Sequence, residues 1–389
     1  MKKVISTERI PIKLWLDEVE EGAMQQARNI ANLPFSFHHI AIMPDAHEGY
    51  GMPIGGVLAS EGVIVPNAVG VDIGCGMCAA KTSLDDVTEK QLKKIMSGLR
   101  KLIPLGFKHH KNKQDVSLMP DTAGIFSGSI IENEYENARE QIGTMGGGNH
   151  FIEIQKGSDG HIWIMVHSGS RNIGHTVASH YNKLAKTLNE RWHTEVKRSA
   201  DLAFLPVESS GAKEYLAEMQ YCVDFAFANR KLMMRNTRSV FEDTFGGHFS
   251  ELRFINIAHN YAKWEHHFGR DVLVHRKGAT SARDGEFGII PGSQGTKSYI
   301  VQGKGNAESF TSCSHGAGRV MGRKQAQRTL DLKEEIDKLD KLGIIHAIRH
   351  QRDLDEAPGA YKNIDEVMEN QKNLVEIQVE LMPLAVIKG

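Results

Sequence analysis

The order of hydrophobic and polar residues along the chain predicts short buried strands mixed with helices of uneven length. Strand-like runs lie at residues 38–43, 62–66, 162–166, 271–275 and 298–302, and a last strand is predicted at 374–381. Apolar residues at helical spacing predict helices at 88–102, 212–245, 331–341 and 364–372. Thr88 stands where the N-cap of the first of these helices is expected.

The order of these elements indicates the fold class. A doubly wound parallel sheet requires strands and helices to alternate regularly, and here they do not. No fixed-period repeat, low-complexity tract or long Pro- and Ser-rich linker divides the chain. We therefore expect an α+β protein with one large mixed α/β domain over residues 1–389.

Composition excludes several classes of protein. The 47 Lys and Arg against 48 Asp and Glu give a formal net charge of -1, so any nucleic acid must be held by a local groove rather than by bulk charge. No apolar run approaches the roughly 20 residues that span a bilayer, and the N-terminus lacks a signal-peptide core. Four Cys are too few for a disulfide framework in 389 residues. We expect a cytoplasmic protein without a membrane partner, in which a functional cysteine is a metal ligand or a nucleophile.

Candidate chemistry gathers at Gly-rich junctions between the predicted elements. In the turn expected after the strand at 38–43, Asp45 and His47 can bind a cation or accept a proton, although a polar turn capped by Asp45 explains them equally well. In VGVDIGCGM, Asp72 offers a hard oxygen and Cys75 a soft thiolate, which together suit Mn or Zn better than Mg. The alternatives are a buried structural cysteine and a Cys75-x-x-Cys78 zinc pair, for which a second pair is missing.

Three further histidines occupy comparable junctions. His150 follows GGGN, His167 ends the strand at 162–166, and His259 precedes an asparagine. For each of them a structural role is as open as metal ligation. The segment SGSR behind His167 offers hydroxyl and guanidinium groups to a phosphate. His266 and His267 are expected at the surface or behind the ligands.

The strongest local signal surrounds His315 in SCSHGAGR. A helix is predicted directly behind it, and a helix N-terminus favours a phosphate through its free N–H groups and its dipole. Arg319 is expected to neutralise phosphoryl oxygens. An imidazole there can attack phosphorus and form a phosphoramidate, and a helix-capping histidine is the structural alternative. Residues 291–296 form a second candidate phosphate loop without the P-loop pattern.

The candidate ligands comprise one Asp, one Cys and three His from different junctions. A mononuclear site needs three or four protein ligands, so this set indicates two metals, with the thiolate available as a bridge. Two-metal sites suit phosphoryl and nucleotidyl transfer, because attacking and leaving oxygens both need charge stabilisation. The residues alone therefore predict a nucleophilic histidine beside a dinuclear centre, and they leave the nucleotide and the substrate open.

Taken together, the motifs resemble those of the RtcB family of RNA ligases. The matching segments are PDAHEGYG, VGVDIGCGM, GGGNHFIEI, HSGSR, HNY, RKGATSA, IIPGSQGTKS, SCSHGAGR and the terminal VIKG. They extend from about residue 40 to Gly389 and cover nearly the whole chain. The resemblance implies an RtcB-like fold and a GTP-dependent ligase. Such a ligase joins RNA 2′,3′-cyclic phosphate or 3′-phosphate ends to 5′-hydroxyl ends through an RNA(3′)pp(5′)G intermediate, in RNA repair or tRNA splicing.

The resemblance also implies roles for individual residues. His315 would attack the α-phosphate of GTP and carry GMP as a guanylylated histidine. Two Mn²⁺ ions would be held by Asp72, Cys75, His150, His167 and His259. The guanine nucleotide would contact Asn149, Glu153, Ser293, Ala317, Tyr361 and Lys388. Composition alone would make Lys388 a solvated terminal charge.

Two segments stand apart from the family pattern. Glu48, in PDAHEGYG, adds a negative charge near the expected RNA path. The stretch at 101–129 contains His109, His110 and four lysines but no strong family signature. It could form part of an RNA-facing surface, and we expect a solvated loop instead.

Two other function classes fit parts of the pattern. A dinuclear phosphohydrolase or phosphodiesterase acting on RNA ends would use the same ligands without guanylylation, so a GMP adduct at His315 separates the two. An RNA-binding or repair scaffold with a degenerate site would function unchanged with His315→Ala, and the full set of candidate residues argues against it. The biological RNA, the oligomeric state and any activating protein partner are left open by the sequence.

Overall fold

The computed structural model describes residues 1–389 as two large β-sheets with helices packed around them. The strands are β1 (Lys3–Ile5), β2 (Ile12–Leu14), β3 (Ser36–His47), β4 (Ile54–Ser60), β5 (Val63–Ile64), β6 (Gly76–Thr82), β7 (Phe151–Gly157), β8 (Ile162–Ser168), β9 (Leu205–Pro206), β10 (Glu251–Ala258), β11 (Asn260–His267), β12 (Arg270–Lys277), β13 (Ala279–Ser281), β14 (Phe287–Ile290), β15 (Ser298–Gly303), β16 (Ser312–Ser314) and β17 (Val375–Lys388). The helices are α1 (Glu21–Ala31), α2 (Pro66–Val69), α3 (Glu89–Leu102), α4 (Ile130–Gln141), α5 (Arg171–Arg191), α6 (Ser210–Phe245), α7 (Arg323–Thr329), α8 (Leu332–Lys341) and α9 (Ile364–Asn370).

The sheets are almost entirely antiparallel. The six-stranded sheet has the order β1-β2-β3-β4-β12-β11, and the seven-stranded sheet has the order β10-β6-β8-β7-β17-β15-β14. Only β2 and β3 pair in parallel. Two ribbons join β13 to β16 and β5 to β9. The expectation of a mixed α+β fold that is not doubly wound is therefore confirmed.

Capping residues define where the main helices begin. Thr88 and Gln91 form a capping box at the start of α3, as the N-cap prediction required. Ser209 caps α6, and Asp331 caps α8. All four predicted helices are present, with ends within two residues of the prediction. No helix is long and apolar enough to cross a membrane.

Three strand boundaries differ from the prediction because of prolines. β5 ends before Pro66, which begins α2, where a missing N–H costs nothing. β3 continues through Pro44 to His47, and β17 continues through Pro383 to Lys388. Both prolines lie where the pairing register shifts, so no ladder hydrogen bond is lost. Pro44 and Pro383, which resemble strand ends in the sequence, therefore lie at irregularities inside long strands.

At one end of the seven-stranded sheet, the termini of neighbouring strands that carry the motifs lie side by side. Antiparallel pairing places the end of β10 (Ala258) and the end of β8 (Ser168) on either side of the start of β6 (Gly76). The start of β7 (Phe151) pairs with the end of β17 (Lys388). β10 passes into β11 of the other sheet after a single residue. The Gly-rich junctions therefore meet between the two sheets.

Candidate active site

An open cavity of about 1310 Å³ between the sheets is lined by the expected nucleophile, by the five candidate metal ligands and by the six expected nucleotide contacts. Its walls include Asp72, Cys75, Asn149, His150, Glu153, His167, His259, Ser293, His315, Ala317, Tyr361 and Lys388. These residues come from junctions spread over most of the chain. Side chains that are ambiguous one at a time therefore share one site.

Five of these side chains form two overlapping groups with the spacing of metal ligands. Cys75, His167 and His259 make one group and Asp72, Cys75 and His150 the other, with the ligand atoms of each group within 4.8 Å of one another. The Cys75 sulfur lies 3.4 Å from His150 Nε2 and 3.3 Å from His167 Nε2. His150 Nε2 lies 3.2 Å from a carboxylate oxygen of Asp72. Cys75 belongs to both groups, so the two candidate ligand sets share its sulfur.

The imidazoles are only partly satisfied by protein partners, and His150 directs its Nε2 at Cys75 and Asp72. His167 Nδ1 lies 3.0 Å from the backbone oxygen of Asn149, to which it donates, so its Nε2 faces Cys75 with a lone pair. The Nδ1 atoms of His150 and His259 are buried and have no hydrogen-bond partner. Buried nitrogens without partners cost free energy unless a ligand uses them.

Charges within the cluster also fit a bound cation. Burial lowers the pKa of His167 and of His259 well below the usual value, which keeps both imidazoles neutral. Burial and then the Asp72 carboxylate raise the pKa of the Cys75 thiol. Burial by itself raises the pKa of Asp72, but His150, the hydrogen bond from Cys75 and the charge of Arg171 together outweigh it, and the pKa falls to about 2. A thiolate beside this carboxylate needs a positive charge, which a metal ion of borderline softness supplies.

Helix α6 fixes the strand ends that carry the ligands. Arg230 is fully buried and donates to the backbone oxygens of Gly74 and Ser168, each at 2.9 Å. Its neighbour Asn229 donates to the Ser168 hydroxyl and to the Gly169 backbone oxygen, each at 3.0 Å. Sequence reasoning overlooked both residues. An Asn-Arg pair in the middle of an otherwise apolar helix face is the signal that could have revealed them.

His315 follows β16 and lies beside the candidate metal ligands, with its ring centroid 4.9 Å from that of His259. One carboxylate oxygen of the fully buried Asp45 accepts hydrogen bonds from the His315 N–H (3.0 Å), from His315 Nδ1 (2.6 Å) and from the Gly316 N–H (3.2 Å). Burial raises the pKa of Asp45, but His315, His47 and Lys362 together outweigh it, and the pKa lies below its usual value. The ionised carboxylate keeps the proton on Nδ1, so His315 Nε2 carries the lone pair.

The loop behind His315 differs from the prediction. α7 begins only at Arg323, so no helix N-terminus lies at the histidine. Gly318, at a φ of 75°, approaches the backbone of Asp45 so closely that an added Cβ would lie 2.1 Å from its oxygen. Gly318 of SHGAGR is therefore needed for this close approach, which holds Asp45 against His315.

A second part of the cavity is built around Glu356, which sequence reasoning missed. Its buried carboxylate accepts hydrogen bonds from Arg319 (3.0 Å), Arg323 (2.7 Å) and the Tyr361 hydroxyl. The ammonium of Lys388 lies 3.9 Å from it. Arg319 was predicted to neutralise phosphoryl oxygens, but its positive charge is already paired with the Glu356 carboxylate. A glutamate in an irregular segment has no pattern that could have revealed it.

Unpaired polar groups lie beside this ion network. Glu153 is buried with one carboxylate oxygen unpartnered, and burial raises its pKa to about 8. Burial lowers the pKa of Lys388, whose ammonium lies 5.5 Å from the centroid of the Phe151 ring. The Ser293 hydroxyl lies 3.0 Å from that of Thr296. A neutral acid, a cation and an aromatic ring can together recognise the polar edge and the face of a nucleobase.

The remaining candidates take structural places. The hydroxyls of Ser168 and Ser170 donate to backbone oxygens, so the expectation that they bind phosphate is wrong, and only the arginine of SGSR lines the cavity. Cys78 packs in the core under the seven-stranded sheet, which excludes the Cys-x-x-Cys zinc pair. His266 and His267 pair with carboxylates on β12 and β11 and belong to neither ligand group.

Comparison with known proteins agrees with the motifs. The family model for tRNA-splicing ligase RtcB matches residues 26–126 and 121–389. The RNA-splicing ligase RtcB of Escherichia coli (strain K12) is 38% identical, over 100% of this chain and 99% of that protein. The tRNA-splicing ligase RtcB of Thermococcus kodakarensis is 32% identical, over 98% of this chain and 95% of that protein. The RNA-splicing ligase RtcB of Mycobacterium tuberculosis is 32% identical, over 94% of this chain and 100% of that protein. The resemblance seen in the motifs is confirmed over the full length, and the chain belongs to the RtcB family.

Proposed function

We propose that this protein is a GTP-dependent RNA ligase that joins 3′-phosphate or 2′,3′-cyclic phosphate ends to 5′-hydroxyl ends, in RNA repair or tRNA splicing. The observation that carries the proposal is His315, held through Nδ1 by Asp45 and adjoining a cluster of five candidate metal ligands in one cavity. Full-length similarity to RNA- and tRNA-splicing ligases supports the same reaction class.

The first step uses the free lone pair of His315. Nε2 attacks the α-phosphorus of GTP, a P–N bond forms, and the bond to the β-phosphate oxygen breaks to release pyrophosphate. The imidazole becomes positively charged as it attacks. Asp45 stabilises that charge and holds the ring in place through the hydrogen bond to Nδ1.

The next two steps return the histidine to its starting form. An oxygen of the RNA 3′-phosphate attacks the phosphorus on His315, the P–N bond breaks, and GMP passes to the RNA end. The RNA 5′-hydroxyl then attacks the 3′-phosphorus, loses its proton, and displaces GMP as a phosphodiester forms. A 2′,3′-cyclic end must first be opened by water, because only a monoester can accept GMP.

The remaining predicted residues take binding roles. Asp72, Cys75, His150, His167 and His259 are the proposed ligands of two Mn²⁺ ions, which when bound would neutralise charge on the phosphoryl oxygens. Asn149, Glu153, Ser293, Ala317, Tyr361 and Lys388 are the proposed contacts of the guanine nucleotide. We also propose one domain over residues 1–389 that works in the cytoplasm, where the Cys75 thiol stays reduced.

The test is a ligation assay with two oligoribonucleotides, one ending in a 3′-phosphate and one beginning with a 5′-hydroxyl, with GTP and Mn²⁺. The proposal predicts a joined product that is lost with His315→Ala. His266→Ala, an exposed histidine outside the cavity, is the matched control and should ligate like the wild type. Removal of the 3′-phosphate without joining or GTP consumption would instead establish the phosphohydrolase alternative.

A further inference from the structure

The two most exposed aromatic side chains of the protein both line the cavity. Phe107 is 98% exposed and Tyr50 is 75% exposed. The other exposed aromatics, Trp192, Trp264 and Phe268, are 40% to 47% exposed and lie outside the cavity. Single exposed apolar residues are common on protein surfaces. The feature to explain is that the two most exposed aromatic side chains, Phe107 and Tyr50, lie at the same cavity.

The backbone that presents Tyr50 is firmly held. Its carbonyl oxygen accepts a hydrogen bond from the buried ammonium of Lys277 at 2.5 Å. Gly51 follows at a φ of 70°, and an added Cβ would lie 2.5 Å from the backbone oxygen of Asp201. The turn between β3 and β4 is therefore anchored while the tyrosine ring projects into solvent.

Phe107 is presented in the same way from a different wall. The Gly106 N–H donates to the Gly146 oxygen at 3.1 Å, and the Lys108 N–H donates to the Leu105 oxygen at 3.2 Å. These bonds close a turn behind α3, and the phenylalanine ring projects from it. Rings on anchored backbones lose little entropy when a flat ligand stacks on them.

Unmatched positive charge continues from Phe107 and along the cavity wall, whereas Glu48 places a carboxylate two residues from Tyr50. Lys108 and Lys111 are exposed in the segment that continues from Phe107, and Lys324 is exposed on the cavity wall. None of the three lies within ion-pair distance of a carboxylate, in contrast to Arg319 and Arg323 at Glu356. Free ammonium groups near aromatic rings are the combination that binds single-stranded nucleic acid.

We infer that Tyr50 and Phe107 are stacking platforms for the nucleobases of single-stranded RNA ends, with Lys108, Lys111 and Lys324 contacting the phosphates. The inference rests on the proposed ligase function and names the surface that would hold its substrate. Two platforms on separate walls suit a reaction that must hold two RNA ends at once. Residues 106–111 then form an RNA-facing surface rather than the solvated loop expected from the sequence.

The test measures the affinity of the full-length protein with Mn²⁺ and without GTP for a fluorescein-labelled single-stranded oligoribonucleotide of about ten nucleotides with a 3′-phosphate. Phe107→Ala and Tyr50→Ala should each raise the Kd about tenfold, which is the scale of one lost base stack. Phe107→Tyr and Tyr50→Phe keep a ring and should restore the Kd to within about twofold. Trp264→Ala removes an exposed ring outside the cavity and should leave it unchanged.

A second oligoribonucleotide with abasic terminal nucleotides isolates the stacking. Wild type and alanine variants should bind it with equal affinity, because its ends carry no base that could stack on the rings. The inference is overturned if both alanine variants bind the intact RNA with wild-type affinity. It is also overturned if they show the same roughly tenfold increase in Kd with the abasic RNA. A raised GTP requirement with unchanged RNA affinity would also overturn it, by assigning the rings to the nucleotide.

The two proposals fail in different ways. A wild-type protein that ligates while its alanine variants bind RNA normally rejects the platforms and leaves the ligase function standing. If the wild-type protein neither becomes guanylylated nor ligates RNA, both the proposed ligase function and the proposed RNA-binding surface are rejected.

Discussion

At the scale of single residues, the reactivity of His315 depends on the carboxylate behind it. Asp45 accepts three hydrogen bonds through one oxygen, and the one from Nδ1 sets which nitrogen of His315 is free. Asp45→Asn keeps the shape but removes the charge and the fixed tautomer. We expect guanylylation to slow by about 10²- to 10⁴-fold, as when a carboxylate that orients a catalytic histidine is replaced. Single-turnover mass spectrometry measures the rate.

The matched control is Asp271→Asn, which alters the exposed carboxylate of the His266 pair. It should guanylylate at the wild-type rate. If Asp45→Asn also reacts within about twofold of wild type, Asp45 does not position the nucleophile.

Cys75 and Cys78 provide a second comparison of single residues. Both are buried, but only the sulfur of Cys75 lies among the candidate ligands. Cys75→Ala should lose bound Mn²⁺ and ligation together, because both candidate ligand groups lose the sulfur that they share. Cys78→Ala should keep both and cost about 1 kcal/mol of stability from the small cavity. Metal content after dialysis, measured by mass spectrometry, separates the two, and full metal in Cys75→Ala would refute the thiolate ligand.

The sequence revealed the site residues unevenly. Cys75 and the three histidines stand out because Gly-rich segments interrupt apolar strands around them, and the cavity brings them together. Glu356 has no such context, and Asp45 was expected in a turn although it lies buried within β3. Both act through partners distant in the chain, and pairings of that kind leave no mark on local sequence.

At the scale of secondary structure elements, α6 supports the segments that carry the candidate metal ligands. Asn229 in α6 is fully buried, and its side chain forms hydrogen bonds with the junction before β7 and with the end of β8. Asn229→Ala leaves several of these buried groups unpaired and should lower the free energy of unfolding by about 3 kcal/mol. Urea unfolding measures the loss.

Asn133→Ala, at an exposed position of α4, is the matched control and should change stability by less than about 0.5 kcal/mol. An Asn229→Ala protein as stable as this control would mean that α6 supports the site through apolar packing alone.

The elements themselves were partly predictable. Periodicity and caps such as Thr88 located α3, α6, α8 and α9 to within two residues, but α1, α4 and α5 were not predicted. Strand ends were harder, because Pro44 and Pro383 resemble stops and are bulges in the folded protein. Whether a proline ends a strand depends on its neighbouring strands, which local sequence does not specify.

At the scale of the whole molecule, the site exists because the Gly-rich junctions at the strand ends lie between the two large sheets. The pairing of β17 with β7 brings Lys388, one residue from the end of the chain, into the cavity. Composition predicted a solvated charge there, and only the family resemblance indicated otherwise. Contacts between segments this far apart in the sequence cannot be predicted from local patterns of hydrophobic and polar residues.

The buried Glu153 makes stability depend on pH. Its pKa is raised from 4.5 to about 8, first by burial, so the folded protein keeps a proton that the unfolded chain loses above about pH 4.5. The stabilising contribution is full below pH 4.5 and is lost as the pH rises towards 8. Glu153→Gln cannot titrate, so its stability relative to wild type should increase between about pH 5 and pH 8. Urea unfolding at both values tests this, and a constant difference would place Glu153 in a polar environment.

The measurement that tests the central claim most directly is the intact mass of the protein after incubation with GTP and Mn²⁺, for the wild type and for His315→Ala. We predict that the wild type gains the mass of one GMP, and that His315→Ala gains none while binding the same amount of metal. No gain in wild-type protein that holds metal, or an equal gain in His315→Ala, would contradict His315 as the nucleophile.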